Sequence, residues 1–126
     1  MIKELIDLQR NSKATCAIIE DSDSGKLSPT VLMKASVSDK FLFSNKPPFA
    51  DKIDEKCAKN KLCYFVIKGI DEISTEQQNR YVGLVKDREF NGYAIPNNCI
   101  LVFTVQNRSN LKKVSSELYH FAVVAF

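Results

Sequence analysis

The sequence has no Cys-x-x-Cys pair and a single histidine, His120. Its four cysteines, Cys16, Cys57, Cys63 and Cys99, are scattered. Structural zinc is normally held by closely spaced cysteine and histidine, so this distribution argues against a zinc site. Three of the four fall in apolar runs, where a free thiol packs as a small hydrophobe. No apolar stretch approaches the roughly 20 residues that span a bilayer. The opening MIKELIDLQRNSK lacks the apolar segment of a secretory leader. No membrane partner is therefore expected, and the expected location is cytoplasmic. No Lys/Arg cluster is dense enough to follow a phosphate backbone, and the net charge is only +3, which argues against nucleic acid as a partner. Internal repeats and low-complexity linkers are also missing.

What is present suits one globular domain over residues 1–126. A chain of 126 residues with 44% apolar residues can build a single core. IKELIDLQR places Ile2, Leu5 and Ile6 at helical spacing. ATCAIIE (14–20) is a compact apolar run of strand length, and DSDSGK (21–26) reads as a polar turn. LSPTVLMKASVSD is expected to form a helix with Pro29 in its first turn, and KFLF (40–43) a short strand. SNKPPF breaks the chain, and FADKIDEKCAKN carries Phe49, Ile53 and Cys57 on one helical stripe closed by Asn60.

The second half is clearer. LCYFVI (62–67) and CILVFTV (99–105) are apolar throughout, which indicates strands covered on both faces, as in a parallel sheet. Between them, Ser74 and Gln77 form a capping-box pattern ahead of the stripe Tyr81, Leu84 and Val85. Asn91–Gly92 marks a hairpin turn. A short helix is expected from Ser115, and FAVVAF (121–126) reads as a last strand. The predicted fold is α/β, a three-layer sandwich around a mostly parallel sheet of four or five strands.

Ligands of such sheets bind outside the carboxyl ends of the strands. Three loops are expected there. EDSDSGKLS (20–28) partly matches the phosphate-binding pattern G-x-x-x-x-G-K-[ST], whose backbone N–H groups and lysine hold phosphates. Gly25 and Lys26 occupy the right places; Glu20 and Leu27 do not fit. Asp21 and Asp23 add opposing charge. At 4 Å and an effective dielectric near 20, one carboxylate repels a unit phosphate charge by about 4 kcal/mol. The second loop follows LCYFVI and carries Asp71 and Glu72, suited either to metal and water or to a helix start. The third, TVQNRS (104–109), offers Asn107, which suits either a turn or the orientation of a water.

Taken together, the stretch from Leu62 to Phe121 resembles a small AAA+ ATPase core, closest to the MoxR-like branch. An apolar strand is followed by Asp-Glu, a leucine-rich helix, REFNG, a Pro-Asn turn, a strand ending TVQN, and VSSELYHF. The resemblance reaches back through AIIEDSDSGK as a degraded Walker A loop. It implies a P-loop NTPase-like fold with ATP and Mg²⁺ as cofactors. By that resemblance Ser24, Gly25, Lys26 and Leu27 would bind nucleotide, with Lys26 on the β- and γ-phosphates. Asp71 would support Mg²⁺, Glu72 would act as catalytic base, and Asn107 would take the sensor position. His120 stands where the family places an arginine finger and replaces that permanent charge poorly. The chain is expected to lack the helical lid. The function implied is ATP binding with weak or no hydrolysis. The alternative is a dead P-loop fold kept as an interaction module for a protein partner or for a second copy of itself.

Overall fold

The computed structural model describes residues 15–43, 47 and 49–126. The helix expected at residues 2–8 lies outside them, as does most of the SNKPPF break. Seven strands are described: β1 Cys16–Glu20, β2 Thr30–Lys34, β3 Cys63–Lys68, β4 Glu89–Phe90, β5 Tyr93–Ala94, β6 Cys99–Val105 and β7 Ala122–Val124. Helices α1 Asp39–Leu42, α2 Ala50–Lys59, α3 Thr75–Gln78, α4 Val82–Asp87 and α5 Ser116–His120 connect them. Short 3₁₀ turns cover Asp21–Lys26, Ile70–Glu72, Asn79–Tyr81 and Arg108–Lys113.

The main sheet has the order β2-β3-β6-β1-β7, and all four of its pairings are parallel. β3 and β6, the two runs that are apolar throughout, lie inside it, because only strands covered on both faces can be apolar at every position. Register is set by direct neighbours such as Phe65↔Leu101 and Ile18↔Phe103. Alternate residues then divide between two cores. Cys16, Ile18, Phe65, Ile67, Leu101 and Phe103 face the helices. Phe49 stacks on Phe65 with ring centroids 4.6 Å apart and ties α2 to the sheet. On the other face, Ala17, Ile19, Tyr64, Val66, Ile100 and Val102 are buried with Leu27 and Ala125. Among the described residues, the helices contribute to the first core only. The three-layer expectation is thus met on one face by described helices, while the second face is closed without them.

Two segments differ from the sequence expectation. LSPTVLMKASVSD is not helical from Pro29: Thr30–Lys34 is an edge strand paired with Tyr64–Lys68. Its burial alternates, Val31 and Met33 in, Leu32 and Lys34 out. Pairing with β3 outweighed the helix-start signal of the proline. KFLF is not a strand either. Ser38 accepts the Phe41 N–H through its hydroxyl and caps α1, so a local capping bond overrides the aromatic strand propensity.

Elsewhere local chemistry and structure agree. Ser74 and Gln77 form the reciprocal capping box. Asn91 and Gly92 take positive φ in the β4–β5 hairpin, a geometry that glycine adopts without strain. Of the three cysteines in apolar runs, Cys16 and Cys99 are free and buried, while Cys63 is disulfide-bonded to Cys57.

Candidate functional site at the carboxyl rim of the sheet

Four strands deliver polar residues to one cleft of about 310 Å³. β1 runs into Asp21, β2 ends in Lys34 with Ser36 beyond it, β3 ends in Lys68 and leads to Asp71 and Glu72, and β6 supplies Thr104 and Gln106. All lie at carboxyl ends because every pairing is parallel. The lining carries three carboxylates and two ammonium groups.

A hydrogen-bond web holds these loops together. Gly69 adopts φ +79°, and its N–H donates to Thr104 Oγ1 at 3.0 Å. The Thr104 hydroxyl donates in turn to Asp21 Oδ1 at 3.1 Å. Lys68 Nζ lies 3.4 Å from the same Asp21 oxygen. Asp71 is buried, and its Oδ2 accepts from the Gln106 N–H at 3.0 Å and from Asn110 Nδ2 at 2.8 Å. Its other oxygen, Oδ1, is buried without a hydrogen-bond partner. Leaving such an oxygen unpaired costs about 1–3 kcal/mol or more for a charged group, so it is a natural seat for a cation or a donor. Glu72 is exposed and arches back over Gly69, where a Cβ would stand 2.7 Å from its Oε2.

The far wall of the cleft is braced from the helical side. Arg80 donates from Nη1 to Val37 O at 2.6 Å and to Asp39 Oδ1 at 2.8 Å, and from Nη2 to Ala35 O. Tyr81 adds an O–H bond to Ala35 O at 2.6 Å. Burial pushes the Tyr81 phenol up from its usual pKa, so it stays a donor. Gln78, fully buried, donates to Ile73 O and Lys113 O and accepts from Ser115 N.

The expected site residues separate into two groups. Asp71 and Glu72 stand at the cleft. Ser24, Gly25, Lys26 and Leu27 do not line it. Ser24 is buried and donates to Asp21 O at 2.8 Å. Lys26 is exposed and pairs with Asp23 at 2.9 Å. Leu27 packs under the second face of the sheet. Glu20, at the first glycine position of the pattern, faces Arg108 at 3.3 Å. Asn107 caps a 3₁₀ turn, accepting from the Asn110 N–H and from the Ser109 hydroxyl. His120 lies at the end of α5, edge-on to Phe121.

Lys34, Ser36, Lys68, Thr104 and Gln106 are the lining residues that sequence reasoning missed. Thr104 was readable as a strand residue only. Lys34 is the last residue of β2, but Val31, Leu32 and Met33 are all apolar, so the sequence carries no alternation that would have placed it at the rim. Lys68 closes β3 directly after an apolar run, and a cation at a strand end is well placed for an anion beyond it.

Fold and cleft together define an α/β domain with a parallel five-stranded sheet and a mixed-charge rim site. No described helix is long and apolar enough to cross a membrane. Comparison with protein-family models and with curated proteins finds no match to the sequence.

Proposed function

We propose that the domain binds ATP together with Mg²⁺ at the carboxyl rim, with weak or no turnover. The observation that supports this reading is the buried, unpartnered Oδ1 of Asp71 in a cleft shared with Asp21, Glu72, Lys34 and Lys68. Three carboxylates against two lysines leave one negative charge in excess. A divalent cation reverses that sign and makes the cleft receptive to phosphate. Mg²⁺ is commonly held by one or two carboxylates, waters and substrate phosphates, which suits Asp71 with Asp21 or Glu72. In this reading Lys68 and Lys34, rather than Lys26, face the phosphates. Glu72 is the group available to polarise a water, and His120 at the arginine-finger position brings no permanent charge, so hydrolysis is slow.

The test is thermal unfolding and calorimetric titration of the full chain with Mg²⁺, ATP, and both. ATP with Mg²⁺ is expected to raise the melting temperature by several degrees at saturating ligand. Asp71→Asn and Lys68→Ala abolish the rise, and Lys26→Ala preserves it. No shift at millimolar ATP and Mg²⁺ overturns the proposal. That outcome favours the second reading, an interaction module, which the positions of Lys26 beside Asp23 and Leu27 in the core support.

A further inference from the structure

The opposite end of the sheet holds a second cluster. Cys63 and Cys99 open β3 and β6 and are direct partners in the parallel register. Cys57, in the last turn of α2, comes down on them. The Sγ atoms of all three lie within 4.8 Å of one another. Cys63 and Cys99 are buried. Two of the sulfurs are joined as a disulfide, which needs no third sulfur beside it. The position of Cys99 is therefore the feature that a two-cysteine crosslink leaves unexplained.

We propose that, once the Cys57–Cys63 bond is reduced, Cys57, Cys63 and Cys99 form a three-thiolate site for a soft monovalent cation of the Cu(I) class. Three sulfurs bound at about 2.3 Å around one ion stand roughly 4 Å apart, a separation open to these three once Cys57 and Cys63 are reduced and part. The group has no histidine or carboxylate, and an all-sulfur donor set selects soft ions. Zinc in such a site normally takes a fourth ligand, whereas the third thiol here completes a trigonal set in apolar surroundings. Arg88 reaches the same corner, its Nη2 bonding Cys99 O at 2.6 Å and Pro96 O at 2.8 Å, and lends positive charge to thiolates.

The chemistry balances in two steps. Two equivalents of a small thiol reduce the Cys57–Cys63 bond, giving two protein thiols and one external disulfide. The cation then forms three S–metal bonds as three thiol protons leave to solvent. Uptake is thereby gated by redox state.

The experiment uses the full chain, reduced and held without oxygen, titrated with Cu(I) against a coloured chelator of known affinity. One equivalent is expected to bind, with ultraviolet thiolate-to-copper charge transfer and protection of all three cysteines from alkylation. Cys99→Ser is expected to weaken binding at least tenfold. Cys57→Ser, at the half-buried helix end where the core is not opened, is expected to do the same, with folding checked by circular dichroism. The protein oxidised at Cys57–Cys63 takes up no copper. Absence of binding to the reduced chain, or binding by both folded variants as tight as that of the wild type, overturns the proposal.

Discussion

Thr104 on β6 and Asp21, the first residue beyond the neighbouring β1, are 83 positions apart in sequence yet share a hydrogen bond of 3.1 Å, and the same threonine oxygen receives the Gly69 N–H. One hydroxyl thus fixes the two acid-bearing loops relative to each other. Thr104→Val keeps the shape and removes both bonds. It is expected to cost about 1–3 kcal/mol, because the Gly69 N–H loses its acceptor. Urea unfolding measures the loss, and Thr104→Ser should restore most of it. A valine variant as stable as wild type would show that the bond contributes nothing net.

Gly69 carries φ +79°, and an added Cβ meets the Glu72 carboxylate. Gly69→Ala should destabilise by about 1–3 kcal/mol from backbone strain. It should also push Glu72 off the rim, so any Mg²⁺ response weakens together with stability. Thermal unfolding with and without Mg²⁺ separates the two effects.

Leu27 and Lys26 are adjacent but differ in kind. Leu27→Ala empties a buried place under the sheet and is expected to cost about 2–5 kcal/mol. Lys26→Ala removes an exposed cation paired, among the described residues, with Asp23, and should change stability by less than about 0.5 kcal/mol. Denaturant midpoints for the pair decide whether this loop acts through packing or through charge.

The Cys16 thiol is pushed up to about 12 by burial, from 9.0, and donates to Phe121 O. The folded state therefore keeps a proton that the unfolded chain releases. The stability this gives is fully present below pH 9 and is lost as pH rises from 9 towards 12. The slope for one such thiol is at most about 1.4 kcal/mol per pH unit. The gap in stability between wild type and Cys16→Ala should be flat from pH 7 to 8 and narrow above 9. A gap that stays constant to pH 11 would sink this account.

The central strands were legible because burial on both faces forces apolar residues at every position, as in Tyr64–Ile67 and Ile100–Phe103. The Ser74 capping box and the Asn91–Gly92 turn were legible because their chemistry is local. β2 was not, since an edge strand with Leu32 60% exposed has neither continuous apolarity nor an obvious polar face. Asp71 and Glu72 were readable as acids at a strand end. The lysines beside them were not, because Lys34 reaches the rim only once the order of strands is known. The Gly-Lys pattern misled for a physical reason. The turn at Asp21–Lys26 is followed by extended chain at Leu27, so no long helix begins there to aim backbone N–H groups at an anion.

The clamp of Arg80 on Ala35, Val37 and Asp39 bears on how this molecule responds to a ligand. Ser36 lies between the gripped carbonyls, so it cannot swing inward unless the guanidinium lets go of three oxygens at once. The Ser36 side of the rim is thus pinned, and a ligand bound there would be selected by size and charge rather than by closure of this segment.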